Sequence, residues 1–312
     1  MKGLTKKQAA ILFLAAVLLA AACFAAFRQA APAAQAEGYV AVVRIDGEIY
    51  GGAEGGNLLA SSSGAASERV MKELRAARTD PKAKSVLLRI NSPGGSAAAA
   101  QEIAEEVDKV RSAGKPVVVS MGDLCASAGY WIASRGNYLF ASPGTMTGSI
   151  GVYIDYNNVE GLMKMFGVYN EKIKSGAYKD ILSMSRPMTE DERAMLQRMV
   201  DEIYGQFIHA VADGRRMDEA EVRALADGRI YTGSQALDAD LIDALGNYYD
   251  ALNYAASLSG FGEGEVPVHT YGGSAPLAGI FSAEMDSAAD RFADTMADRL
   301  LSAAKRETPA VK

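Results

Sequence analysis

Three short runs in this chain, Val40–Ile45, Val86–Ile90 and Val117–Met121, are apolar nearly throughout, and helical stretches separate them. A strand with one face in water alternates apolar and polar residues. These runs do not alternate, which argues for a sheet buried on both faces with helices covering it. That pattern predicts an α/β fold.

The intervening segments fit this reading. Residues 68–78 place Val70, Met71 and Leu74 on one helical face, and 97–111 do the same with Ile103, Val107 and Val110. Tyr138–Phe140 and Ile150–Ile154 are further strand candidates, and 51–65, rich in Gly, Ser and Ala, reads as a flexible loop. Thr189 with Glu192 forms a capping box opening a helix whose stripe is Leu196, Met199, Ile203, Phe207 and Val211. A last helix is predicted over 280–302, with Phe281, Met285, Ala288, Phe292, Met296 and Leu300 opposite Asp286, Asp290, Asp294 and Asp298. Its acidic face argues for packing against protein rather than anionic lipid.

The N-terminus carries an address. Lys2, Lys6 and Lys7 precede nineteen uncharged residues, 9–27. At 1.5 Å per residue these span about 28 Å, one hydrocarbon core. The lysines favour a cytoplasmic N-terminus. We therefore expect a single-pass anchor in the cell membrane with an extracytoplasmic domain. Cleavage after Ala34-Gln35-Ala36 and lipid attachment at Cys23 remain open. The expected organisation is tip and anchor 1–27, linker 28–38, folded domain 39–303 and tail 304–312.

Composition narrows the chemistry. The net charge is −6, without the basic face that nucleic acid requires, so no nucleic-acid partner is expected. Only Cys23 and Cys125, and only His209 and His269, are present. No disulfide framework, metal site or cofactor is expected, and Ser-His-Asp is a weak reading.

Three segments carry possible chemistry. Asn91-Ser92-Pro93-Gly94-Gly95-Ser96 joins a strand to a helix; free N–H groups there suit an oxyanion hole, though a Pro-Gly-Gly turn is also simply a turn. Ser127 follows a strand among small residues, Cys125-Ala126-Ser127-Ala128-Gly129, where a substrate backbone has room. Such a serine is more often an N-cap. Lys174-Ser175-Gly176-Ala177-Tyr178-Lys179 offers two lysines, ordinarily plain surface. A serine nucleophile needs a base within reach. A lysine serves only when neutral, and with a reference pKa of about 10.4 only about one in 10³ is neutral at pH 7. Burial lowers that pKa by as much as about 3–5 units, so a lysine base must be shielded from water and from carboxylates. Ser149, in Thr147-Gly148-Ser149-Ile150-Gly151, offers a hydroxyl to hold the amine.

Taken together and in order, these segments resemble the SppA signal peptide peptidases, a peptidase family S49 group in the ClpP/crotonase-like clan. The similarity runs from about residue 39 to 260 and includes Asp227-Gly228-Arg229-Ile230-Tyr231-Thr232-Gly233 and Leu241-Ile242-Asp243. The chain looks like the short, single-repeat form. The resemblance implies a ClpP/crotonase-like fold of stacked ββα units beside the N-terminal transmembrane helix. It implies Ser127 as nucleophile, Lys179 rather than Lys174 as base, Ser149 as the serine positioning that lysine, and Gly94 with the Ala128 N–H as oxyanion donors. It implies a ring- or dome-shaped homo-oligomer with serine and lysine from neighbouring subunits. The implied substrates are signal-peptide remnants and other small or unfolded polypeptides. Ala128 stands where the family often has glycine, a change that keeps the N–H. Trp131 and Cys125 receive no role. Two other readings are a hydratase or isomerase on the same fold and a non-catalytic, membrane-anchored peptide-binding scaffold. Neither predicts labelling of Ser127 by a fluorophosphonate.

Overall fold

In a computed structural model, residues 38–53, 64–261 and 266–272 are described. The chain divides into two compact units, Met1–His269 and Thr270–Lys312. The apolar segment 9–27, the helix expected over 280–302 and the tail 304–312 lie outside the described residues. None of the described helices is long and apolar enough to cross a membrane.

β1 (Tyr39–Asp46) leads through a short parallel pair, β2 (Glu48–Tyr50) and β3 (Gly64–Ala66), into α1 (Ser67–Thr79). Next come β4 (Ala83–Ser92), α2 (Ala97–Ser112), β5 (Val117–Ala126) and the single-turn α3 (Ala128–Ala133). β6 (Tyr138–Ala141) and β7 (Met146–Gly148) follow. The remaining elements are α4 (Glu160–Met165), α5 (Glu190–Arg215), α6 (Glu219–Leu225), β8 (Ile230–Thr232), α7 (Gly233–Asp238), β9 (Ala244–Leu245), α8 (Tyr248–Leu258) and β10 (Val268–Thr270).

β1, β4, β5, β6 and β9 pair in that order, all parallel. Val40, Val42, Leu87 and Val118 pack under α8, whose Ala251, Ala255 and Ala256 bring it close to the sheet. Ala41, Val43, Leu88 and Val119 point the other way by strand alternation and are fully buried too. The sheet is thus buried on both faces, as the apolar runs predict.

Three local outcomes depart from expectation. β5 continues to Ala126, five residues past Met121. It bulges against β4, where Ile90 faces Met121 but Ser92 faces Cys125. The Asn91 side-chain oxygen accepts the Leu124 N–H at 3.1 Å and holds the bulge. Ile150–Ile154 is not a strand: Ser149 adopts φ +50° and turns the chain out of the sheet, and only Ile150 of the five is buried. Of the loop predicted over 51–65, residues 54–63 lie outside the described residues, and Gly64 and Ala65 belong to β3.

The Thr189–Glu192 capping box forms as the sequence predicts. The stripe of α5 is only partly used. Phe207 and Val211 are buried, Leu196 and Ile203 are half-buried, and Met199 is exposed.

Asn91→Ala removes the acceptor at the β5 bulge. It should cost about 1–2 kcal/mol, read as a lower urea midpoint with an unchanged slope.

Candidate active site

Ser127 stands at the junction of β5 and α3 with φ 52° and ψ −124°. A serine rarely adopts this conformation, which costs on the order of 1–3 kcal/mol unless surrounding structure enforces it. Here it is enforced from both sides. The Ser127 N–H donates to the Gly148 carbonyl at 2.9 Å, and the Ser127 carbonyl accepts the Trp131 N–H at 2.9 Å. Thr147 Oγ1 donates to the Cys125 carbonyl at 2.7 Å and Thr145 Oγ1 to the Gly122 carbonyl at 2.7 Å, which fixes the end of β5. All six residues of α3 are buried, and the Tyr130 hydroxyl donates to the Leu241 carbonyl at 2.7 Å. Ser127 itself stays half-exposed. A sharp strand-to-helix turn of this kind presents a hydroxyl at the C-terminal ends of parallel strands.

The glycine turn after β4 lies against it. Gly94 has φ +111°, and a Cβ there would sit 2.7 Å from Ser127 Cβ and 3.0 Å from the Ala128 nitrogen. Only glycine fits. The Gly94 N–H, however, donates to Ser92 Oγ at 3.1 Å. The adjacent Gly95 N–H has no acceptor among the described residues, and Gly95 lines the cavity beside Ser127. Ala128, in the first turn of α3, has no acceptor within its helix. Gly95 is thus a donor that reading the motif alone overlooked. The two glycines are indistinguishable until the Ser92 bond is seen.

Two cavities meet at Ser127. One, of about 230 Å³, is lined by Ala97, Trp131, Val152, Ile154, Ile203 and Phe207 besides the serine turn. Trp131 stacks on Phe207 with centroids 4.6 Å apart, so Trp131, given no role from sequence, forms a wall of the site. Ile150–Ile154, expected as a strand, instead contributes Ile154 and Val152 to it. The other cavity, of about 450 Å³, holds both Ser127 and Ser149, with Tyr204, Asp201 and Asp227 around it. Sequence placed these two serines on separate motifs; the parallel register Ala126↔Gly148 makes them neighbours.

Lys179 lines neither cavity and is exposed on the turn that precedes α5. The two lysines of its motif differ in company. Lys174 Nζ meets Asp180 at 2.5 Å. The Lys179 amine forms no ion pair among the described residues. Arg186 clamps the loop: it bonds both Asp180 oxygens at 2.8 Å and the Glu192 oxygens at 2.5 and 2.9 Å. Its guanidinium, then Lys174, holds Asp180 well below the usual carboxylate range. Arg186 and the Thr189 N–H bring Glu192 down to about 2. Cys125 is buried, and burial pushes its thiol far up, so it is inert as a nucleophile. Among the described residues no cluster could hold a metal ion.

Comparison with known proteins gives a consistent result. The profile of peptidase family S49 matches residues 109–261, and that of Clp protease matches 58–147. Protease 4 of Salmonella typhi is 38% identical over 222 residues, covering 71% of this chain and 35% of that protein. A putative protease of Synechocystis is 40% identical over 231 residues, covering 74% of this chain and 81% of its own. A putative signal peptide peptidase SppA of Enterococcus faecium is 39% identical over 186 residues, covering 60% and 54%. The chain spans about a third of Protease 4 and about half of the Enterococcus protein.

The Arg186 clamp has a pH signature. Both carboxyls are depressed, so the stability they add is complete above the ordinary glutamate value of 4.5 and is lost as pH falls toward about 2. Urea unfolding between pH 6 and pH 2.5 should show a larger loss for wild type than for Arg186→Gln. Equal losses would remove the clamp from the account.

Proposed function

The chain belongs to peptidase family S49, a family of serine peptidases, and we propose that it is a membrane-anchored endopeptidase using Ser127 as nucleophile and Lys179 as base. The observation that carries this is the enforced turn at Ser127, with unpaired backbone N–H groups on one side and Ser149 on the other.

Chemistry follows from these groups. Neutral Lys179 takes the Ser127 proton as Oγ attacks the scissile carbonyl. The Ala128 N–H, with that of Gly95 or Gly94, receives the developing oxyanion. Lys179 returns the proton to the leaving amine, then draws one from the water that releases the acyl group. The apolar cavity beside Ser127 suits a small or apolar side chain before the cut.

Lys179 is the better base of the two lysines because Lys174 is committed to Asp180. A lysine base works only where it is shielded from water, and among the described residues nothing covers Lys179, so a base at this position requires a cover from elsewhere. The segment 153–184 exposes Tyr153, Met165, Phe166, Tyr169 and Ile173, and α5 exposes Met199. Apolar surface on this scale asks for a partner. We assign that partner to neighbouring copies in a ring or dome, each bringing Lys179 to the next copy's Ser127 and Ser149. The apolar segment 9–27 anchors the assembly, with the catalytic part extracytoplasmic. Substrates in keeping with this place are remnant signal peptides and other small or unfolded polypeptides.

The test uses the full chain in detergent with an apolar fluorogenic peptide. Ser127→Ala and Lys179→Ala should each lose on the order of 10³-fold or more in kcat. A fluorophosphonate should label Ser127 in wild type. Co-assembled in equal amounts, the two inactive variants should regain about a quarter of wild-type activity, since one site in four then pairs an intact serine with an intact lysine across a head-to-tail interface. No recovery in confirmed mixed assemblies would place the dyad within one chain. Full activity of Lys179→Ala would end the dyad reading.

A further inference from the structure

Asp227 and Gly228 line the second cavity, and most of the stretch from Asp227 to Gly233 has a plain structural task. The Arg229 carbonyl accepts the Ser149 N–H at 2.8 Å and so holds Ser149 at its positive φ. Tyr231 covers Gly148, where a Cβ would lie 2.5 Å from its ring, and Thr232 caps α7. Asp227 Oδ1 accepts the Arg229 N–H at 3.1 Å, closing the turn at Gly228. That task needs a side-chain oxygen but not a charge; asparagine does it as well. Asp227 nonetheless brings a carboxylate to the wall of the cavity that holds Ser127 and Ser149. Among the described residues the Arg229 side chain hydrogen-bonds only to that carboxylate, a two-pronged pair at 2.5–2.9 Å.

A carboxylate beside a lysine base stabilises its ammonium form and starves the reaction of free amine. We infer that Arg229 is a positioning residue whose guanidinium cancels the Asp227 charge, so that the amine entering the Ser127–Ser149 cavity stays neutral near physiological pH. This rests on the dyad reading above and deepens it. The other titratable groups lining that cavity are Asp201 and Tyr204 of α5 and Tyr153 of the loop after Ser149. Asp201 is bonded by Gln197 at 2.8 Å, and the Tyr204 hydroxyl donates to the Ala226 carbonyl at 2.7 Å, with Arg223 over its ring. They are common to all variants below.

The sign of the effect separates this role from a structural one. The readout is the acid limb of the kcat/KM profile for the full chain in detergent, with assembly of each variant checked by sizing. Arg229→Gln leaves Asp227 uncompensated, and the limb should move up by about half a pH unit. Asp227→Asn keeps the turn but leaves Arg229 uncompensated, and the limb should move down by a similar amount. The double variant should return it to the wild-type position. Both single shifts should shrink at high salt, because the pair is partly exposed. Shifts of one sign in both single variants, or no shift in either, would overturn the inference. Lys179→Ala run alongside keeps the failures apart. If it is inactive while the limbs stay put, only charge balance fails; if it is active, the dyad itself fails.

Discussion

The hydrogen bond from the Ser127 N–H to the Gly148 carbonyl is the contact on which the site depends. It ties the end of β5 to the end of β7 at the point where the backbone reverses. Without it the unfavourable φ of Ser127 would have no restraint on its N-terminal side, and Ser149 would not be held next to it. Its cost is met by burial: α3 is wholly covered, and Thr147, Thr145 and Tyr130 each donate a hydroxyl proton to a buried carbonyl around it. The parallel sheet serves as the rigid base that makes this strain affordable.

Charge is distributed around the site with a consistent logic. Lys174, Asp180, Arg186 and Glu192 form a closed network in which each charge has a partner. Asp227 and Arg229 form another at the cavity wall. Lys179 stays outside both. Asp201, on the same cavity wall, is bonded instead by the neutral amide of Gln197, and the exposed apolar residues of 153–184 mark a surface open to a partner.

Much of the fold could be read from local pattern. Nearly apolar runs marked the strands buried on both faces, and Thr189 with Glu192 marked the start of α5. The failures were also physical. Ile150–Ile154 has strand composition, yet the positive φ at Ser149 removes it from the sheet, and its side chains line a cavity instead. The stripe on α5 has helical spacing along its whole length, but spacing does not say how far the core extends beneath it.

By itself the sequence determined the apolar runs of β1, β4 and β5, the start of α5 and which serines and lysines stand on turns, because periodicity, caps and turn residues act over a few positions. Tertiary structure decided which of those turns meet. The shifted register between β4 and β5 set Gly94 against Ser127, and the pairing of β5 with β7 set Ser149 in the same cavity. It also decided between neighbours that look alike in sequence: Ser92 occupies the Gly94 N–H and not that of Gly95, and Asp180 occupies Lys174 and not Lys179. The last two choices are made between near neighbours in the chain, whereas the meeting of Gly94, Ser127 and Ser149 follows from strand register and packing, which leave no mark on local composition.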